Sequence, residues 1–510
     1  MNQAIQPATT RTSSEPDSPL EAYFHRFRAH TIGIDQRYPT PYGDVNMIYA
    51  DWTASGRLYQ PIEDRIAHDL GPYLGNTHTE TTITGSSMTK AYHAARMLIK
   101  KHVGALPEDI LIPTGSGMTG AVNKFQRILG FKVHERYRDQ IRIPESDRPV
   151  VFVTHMEHHS NQTSWLETIA EVILIPHLEN GLIDLDGFRK TILQYTHRQV
   201  KIAAVTSCSN VTGIRTPYHD IARIMHEHDG LCFVDFACSA PYIDINMRPV
   251  DPLEHLDAIY FSPHKFLGGP GTSGILIFKP DLYQNQVPDH PGGGTVKWTN
   301  PWGERSYINA IEDREDGGTP PFLQTIRVAL AVKLKEEMGV AQIHDRETEL
   351  IDRLWPRMSA IQGLHILAPE QKERLPVFSF YIEDLHYNLG VKILNDRFGI
   401  QVRGGCSCAG TYGHYLLAIS YETSKSITDD IEKGILSSKA GWMRLSLHPI
   451  MTNEEVDYIA EALSQLAAHH QEWARDYVYI PSTNEFVHLR ELPNEDELVE
   501  QWMHQPVTPL

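Results

Sequence analysis

Cysteine is scarce: Cys208, Cys232, Cys238, Cys406 and Cys408 are the only five in 510 residues. An odd, small number with no export signal argues against a disulfide framework and for a reducing compartment, so the chain is expected to be cytoplasmic. No apolar run approaches the ~20 residues that a membrane span needs. Basic excess is missing too. A net charge of −18 speaks against a nucleic-acid surface and against general attraction to anionic membranes. No repeat at solenoid periods is found. The opening "MNQAIQPATTRTSSEPDSPL" lacks a hydrophobic core and carries Glu15 and Asp17, which makes it an expected disordered tail, neither signal nor transit peptide. With 41% apolar and 22% charged residues, the composition is that of a soluble globular protein able to bury large cores. The length calls for two or more compact units.

From residue 100 to 280 short β-branched runs alternate with helical patterns. "DILIPTG", "PVVFVTH", "EVILIPH", "VKIAAVTSCSN", "GLCFVDFA" and "LDAIYFSP" read as strands, and "LDGFRKTILQYTH" and "YHDIARIMHEHD" as amphipathic helices. That alternation predicts βαβ units and a mainly parallel sheet buried on both faces, hence an α/β fold. Residues 281–320 are rich in Gly and Pro and read as long loops. "LQTIRVALAVKLKEEMG" predicts a helix joining two domains, after which strands such as "VFSFYIE" and "GWMRLSLH" mix with helices in a smaller α+β unit. The expected division is a tail and N-terminal arm over 1–44, a large α/β domain over 45–320, a small domain over 321–475 and an acidic extension of unassigned purpose over 476–510.

Lys265, inside "FSPHKFLGGPGTSG", is flanked by Phe266 and Leu267, an environment in which an ammonium is costly unless offset. A lysine whose charged form is disfavoured is a nucleophile toward carbonyls, the aldehyde of pyridoxal phosphate among them. Such a site also needs an acid for the pyridine nitrogen and a phosphate cradle. Asp235, at the end of the strand "LCFVD", offers the acid, although a strand-end Asp equally caps a following helix. "PTGSGMTGAVNKF" reads as strand, glycine-rich turn and helix start, which suits a dianion. It has neither the Walker lysine nor the full dinucleotide fingerprint. His155, Glu157, His158 and His159 in "THMEHHSNQTSW" match no zincin spacing, and "HEHD" at 226–229 reads as a polar helix end, so no metal is expected. A strand-end histidine facing a planar ring can stack on it and move protons.

"YADWTASGR", "MEHHSN", "SNVTG", "VDFACSAP", "SPHKFLGGPGTSG", "VRGGCSCAG" and "RLSLHPIMTNEEVD" occur in an order that resembles class V aminotransferase-fold enzymes over residues 45–470. The set is most similar to the cysteine desulfurase and selenocysteine lyase branch. The resemblance implies the type I pyridoxal-phosphate transferase fold, with the cofactor bound in the large domain. It implies that Lys265 is the Schiff-base lysine, Asp235 the partner of the pyridine nitrogen and His158 the ring-stacking histidine. Phosphate contacts would come from Gly117, Met118, Thr119, Ser262 and His264, with Thr319 supplied across the interface of a homodimer. Asn210 would lie near the ring oxygen and the substrate. Arg444 would grip the substrate carboxylate as a bidentate guanidinium. One departure stands out: Cys238 occupies the position where the family usually has a glutamine beside the ring oxygen, and a thiol is a poorer hydrogen-bond partner than an amide.

In the desulfurases a cysteine follows the motif arginine by five residues, which from Arg403 is Cys408; Cys406 falls at a variable position. A thiolate beside Arg403 would be stabilised, the condition for reactivity. The pair Cys406 and Cys408 also allows a metal-binding pair, a strained local disulfide or an inert cysteine on a substrate loop. The stretch "YETSKSITDDIEKGILSSKA" between Cys408 and Arg444 is longer than usual and could reshape substrate access. The expected function is removal of sulfur from L-cysteine, or selenium from selenocysteine, giving alanine through a Cys408 persulfide, with a sulfur-acceptor protein as partner. Two alternatives stay open: another class V enzyme such as an aminotransferase or C–S lyase, and a non-catalytic binding or sulfur-relay protein.

Overall fold

The computed structural model describes residues 17–490 and 495–508. The expected tail therefore lies outside the described residues up to position 16. Its last two residues, Pro19 and Leu20, are not tail: they open helix α1, Pro19–Arg28, whose start Ser18 caps by accepting the Glu21 amide at 3.1 Å. Phe24 and Phe27 bury one face of α1. Arg28 makes a two-pronged, buried contact with Glu455, at 2.8 Å and 2.9 Å.

Seven strands form the large sheet: β1 (Ile110–Thr114), β2 (Val150–Val153), β3 (Glu171–Leu174), β4 (Lys201–Thr206), β5 (Leu231–Asp235), β6 (Ala258–Phe261) and β7 (Gly274–Phe278). Their order across the sheet is β1-β7-β6-β5-β4-β2-β3. The run from β6 to β3 is parallel, and only β7 is antiparallel to its neighbours β6 and β1. Unbroken burial of β2, β4, β6 and β7, and of β1 up to its last residue, follows from helices covering both faces, which is why these segments read as apolar runs and not as alternations. The helices that matter for the site are α2 (Met118–Ile128) and α3 (His159–Leu166).

At the N-terminal end of the β5–β6 pair, Asp257 accepts from the Cys232 amide at 2.8 Å. His226 and His255 reach the same carboxylate through Nε2 at 2.9 Å and 3.1 Å, and their rings stack 3.9 Å apart. Among the described residues these three side chains have metal-ligand spacing. The Lys279 ammonium, 3.2 Å from Asp257 Oδ1, already supplies a cation there.

Helix α4 (Phe322–Met338), the expected connector, leads through a second helix, Val340–Ser359, to a four-stranded antiparallel sheet. Its strands are β8 (Leu364–Ile366), β9 (Val377–Ile382), β10 (Arg403–Gly405) and β11 (Trp442–Ser446), ordered β8-β9-β11-β10. The inserted stretch after Cys408 forms helix α5, Tyr421–Glu432, with no buried residue. Part of the acidic extension folds as a hairpin, Tyr477–Ile480 with Glu485–His488, tied inward by Tyr477 Oη donating to Asp396 at 3.2 Å. Among the described residues no helix is long and apolar enough to cross a membrane.

Candidate active site

Five strand ends meet at the C-terminal edge of the large sheet: the turns after β1, β2 and β4, the end of β5 and the turn after β6. Ligands of open α/β sheets bind at that edge. Lys265 closes a short 3₁₀ turn directly after β6. Burial lowers the basicity of its amine, with Cys238 and Asp235 partly restoring it. A loop from the N-terminal segment presses on this turn. Gly56 donates its amide to His264 O at 2.9 Å, and a Cβ at Gly56 would lie 1.9 Å from Phe266 O, so only glycine allows the approach.

Asp235 is fully enclosed; burial pushes it up to about 6, against the pull of the Ala237 amide and of Lys265. The Ala237 amide reaches its Oδ1 at 2.8 Å. Cys238, one turn on, is buried beside Cys208. A hydrogen bond from Cys208, then the charges of Lys265 and Arg444, hold the Cys238 thiol below its ordinary range.

His158 caps α3: its Nδ1 accepts the Ser160 amide at 3.1 Å, so the proton of the neutral ring is on Nε2. Burial, then Lys265, lowers it to about 3, and the ring is neutral at physiological pH. The preceding residue is Glu157. It is buried, accepting from the Thr154 amide and hydroxyl, Asn161 Nδ2 and the Thr206 amide, and so joins β2, α3 and β4.

Gly117, Met118 and Thr119 start α2. The Met118 amide donates to Ser262 Oγ at 2.8 Å, and Thr119 Oγ1 lies 2.7 Å from Ser160 Oγ. A Cβ at Gly117 would come 3.0 Å from Ser262 Oγ and 3.6 Å from the His264 ring. These residues form a cup at a helix N-terminus, and burial lowers His264 to about 4. Thr319 is exposed on the loop before α4.

The cysteine loop comes from the other sheet. Cys408 is exposed; Cys406 is half-buried and packs against the main core. Both are free thiols. Asn210 donates Nδ2 to Ser407 O at 2.7 Å, while its Oδ1 is buried without a partner. Arg444, buried on β11, gives Nη2 to Asp51 Oδ1 at 2.8 Å and Nη1 to Asn210 O at 3.2 Å, leaving Nε buried and unpartnered. Arg403, half-exposed on β10, gives Nε to Asp51 Oδ2 at 3.0 Å. Asp51 thereby joins Arg403 to Arg444 through its two oxygens.

The structure thus gathers Lys265, Asp235, Cys238, His158, Asn210, Ser262, His264 and Arg444 around one edge. Sequence reasoning missed Asp51, which binds both site arginines. Its only signal was the segment "YADWTASGR", where a lone aspartate 352 residues from its arginine says nothing about pairing.

The family profile described as Aminotransferase class-V matches residues 48–459. A "Probable cysteine desulfurase" of Staphylococcus epidermidis is 30% identical over 427 residues, covering 82% of this chain and 92% of that protein. One of Halalkalibacterium halodurans is 28% identical over 421 residues, covering 80% of this chain and 97% of that protein. Among solved structures, an apo cysteine desulfurase from Thermococcus onnurineus superimposes with a TM-score of 0.67 at 21% identity, covering 83% of this chain and 95% of that one. The Escherichia coli cysteine desulfurase CsdA superimposes with a TM-score of 0.66 at 20% identity, covering 87% of this chain and 98% of that one. At those identities the two structures speak for the fold.

Proposed function

The chain belongs to the class V aminotransferase family, and on that premise we propose that it is a pyridoxal 5′-phosphate-dependent cysteine desulfurase. The observation that carries the reading is the pairing of a buried amine, Lys265, with an exposed thiol, Cys408, on a loop tied to the same pocket by Asn210. Relatives named as probable cysteine desulfurases, matched over 92% and 97% of their own length, support it.

The residues fit the cofactor. The Gly117 cradle has room where a Cβ would crowd Ser262, and helix N-termini suit a phosphate. Asp235 is a buried carboxylate whose charge a pyridinium would offset. Asn210 Oδ1 is a buried acceptor in want of a partner. Lys265 Nζ would hold the cofactor covalently; Gly117, Met118, Thr119, Ser262 and His264 would hold its phosphate, with Thr319 of a second copy of this chain. Asp235 would pair with the ring nitrogen, His158 would cover the ring, and Asn210 and Cys238 would face the ring oxygen. When bound, the cofactor supplies an electron sink for the pair left when the substrate Cα proton departs.

Arg444, whose Nε has no partner, would hold the substrate carboxylate, with Asn210 against it and Arg403 joined to it through Asp51. Lys265 Nζ moves the Cα proton, and burial keeps its lone pair available. His158 Nε2–H is a proton donor facing the pocket. The Cys408 thiolate attacks the substrate sulfur: an S–S bond forms, the substrate C–S bond breaks, and its electron pair stays with carbon. Protonation of that carbon and return of a proton to Cα complete alanine, and the persulfide on Cys408 passes its outer sulfur to an acceptor protein or reductant. Selenocysteine would follow the same course.

A different amino-acid substrate is the second reading, favoured by α5 beside the cysteine loop, where His414 Nε2 meets Ser424 Oγ at 2.8 Å. The deciding experiment records the cofactor absorption band, then, with a thiol reductant present, measures sulfide and alanine from L-cysteine for wild type and Cys408→Ala. Equimolar products, lost in the variant while the band stays, support desulfuration. A full band with no sulfide overturns it and leaves the second reading.

A further inference from the structure

The loop carrying Cys408 rests on the first residues of α3. The His159 amide donates to Cys408 O at 2.7 Å. The Gly410 amide donates to His159 Nε2 at 2.9 Å, and Thr411 Oγ1 to Gln162 Oε1 at 2.8 Å. A Cβ at Gly410 would stand 3.2 Å from Nε2, so ring and loop backbone are in direct contact. Ser407 and Cys408 have φ of 51° and 54°, a left-handed conformation that side-chain-bearing residues rarely adopt. The carbonyls of these same two residues accept from Asn210 and His159. The loop's unusual backbone is therefore held at the two positions that need holding.

We infer that His159 is a positioning residue for the Cys408 thiol: its neutral ring, with the lone pair on Nε2, latches the loop to the helix start that also presents His158. The inference rests on the reading of Cys408 as the sulfur-accepting nucleophile. Since Nε2 accepts the Gly410 amide, the ring proton is on Nδ1. Protonating Nε2 would set two donors face to face and release Gly410. Burial, then the charge of Lys439 from the inserted segment, lowers His159 in the direction that keeps the latch closed. The other titratable groups against it are His158 on its own helix and Cys408 across the loop.

The test uses holoenzyme and two readouts over pH 5.5–9: alkylation of Cys408 by iodoacetamide, followed by mass spectrometry, and single-turnover persulfide formation from L-cysteine. His159→Ala is expected to alter Cys408 alkylation at least fivefold and to slow persulfide formation at least tenfold with the KM for cysteine within threefold. His159→Gln returns an acceptor that cannot be protonated. It is expected to restore persulfide formation to within about threefold of wild type and to lose one acid-limb ionisation. Alkylation and persulfide rates of His159→Ala within twofold of wild type at every pH would overturn the inference. If the alanine variant does not fold, an acid limb in His159→Gln identical to wild type would overturn it equally. Wild type that makes no persulfide would overturn the desulfurase reading instead, while the alkylation ratio still reports on the latch.

Discussion

Gly56→Ala tests whether the loop contact behind Lys265 sets the chemistry. The new methyl would stand 1.9 Å from Phe266 O, 2.6 Å from Phe266 C and 3.1 Å from Lys265 O. All three are backbone atoms, so no flexible side chain can yield. Reaching an ordinary contact of about 3.4 Å requires the two loops to part by roughly 1.5 Å. That also breaks the Gly56 amide bond to His264 O. Overpacking costs about 1–3 kcal/mol and the lost hydrogen bond about 1 kcal/mol, so the variant should be about 2–4 kcal/mol less stable. A displacement near 1 Å at the reacting amine costs on the order of 10²-fold in rate. The assays are denaturant unfolding of the holoenzyme, the cofactor absorption band, and kcat for sulfide release. A variant with kcat within twofold of wild type would refute the claim that this contact positions Lys265.

Three further outcomes are expected. Arg28→Ala removes the two-pronged guanidinium from the buried Glu455 carboxylate, which keeps the Thr452 amide, and should cost about 1.5–3 kcal/mol in denaturant unfolding, the range for a hydrogen bond to a charged group. In cofactor-free enzyme, Asp235 at about 6 against an ordinary 3.8 favours the protonated folded state. Its stabilising contribution is therefore full below 3.8 and lost as the pH rises through 6, a change of about 3 kcal/mol that Asp235→Asn should flatten in urea titrations run from pH 4 to 7. Asp51→Ala removes the carboxylate from the buried Arg444 and the half-exposed Arg403; a loss of about 1.5–3 kcal/mol is expected, nearly all from Arg444, and Arg403→Ala alone should change stability by about 1 kcal/mol or less.

Much of the large sheet could be read from the sequence because strands covered on both faces show themselves as apolar runs. The segments around Lys265, Asp235 and His158 end such runs, and their meeting at one edge follows from parallel strands sharing one direction. What could not be read is held by contacts far apart along the chain. Asp51 meets Arg403 across 352 residues, and Asn210 meets Ser407 across 197. Arg403 served in the sequence to count forward to Cys408, and nothing in that motif announced its bond to Asp51. His159 gave no signal beyond standing next to His158, since its role is to accept an amide from a loop 251 residues away. The helix from Pro19 was hidden by its polar, Pro-containing surroundings, although Ser18 and Pro19 together are a helix-start signal.

The Asp257 cluster has a consequence at the opposite end of the sheet. Asp235 and Tyr260 are partners in the β5–β6 ladder, and Lys265 follows five residues after Tyr260. A slip of one residue along that ladder would shift Asp235 by ~3.3 Å against the lysine and turn its side chain to the other face. The Cys232 amide, His226, His255 and Lys279 all close on the one carboxylate, Asp257, immediately before β6. They act as a register pin, so that the spacing between acid and amine is fixed at the far end of the strands, well away from the turnover that would disturb it.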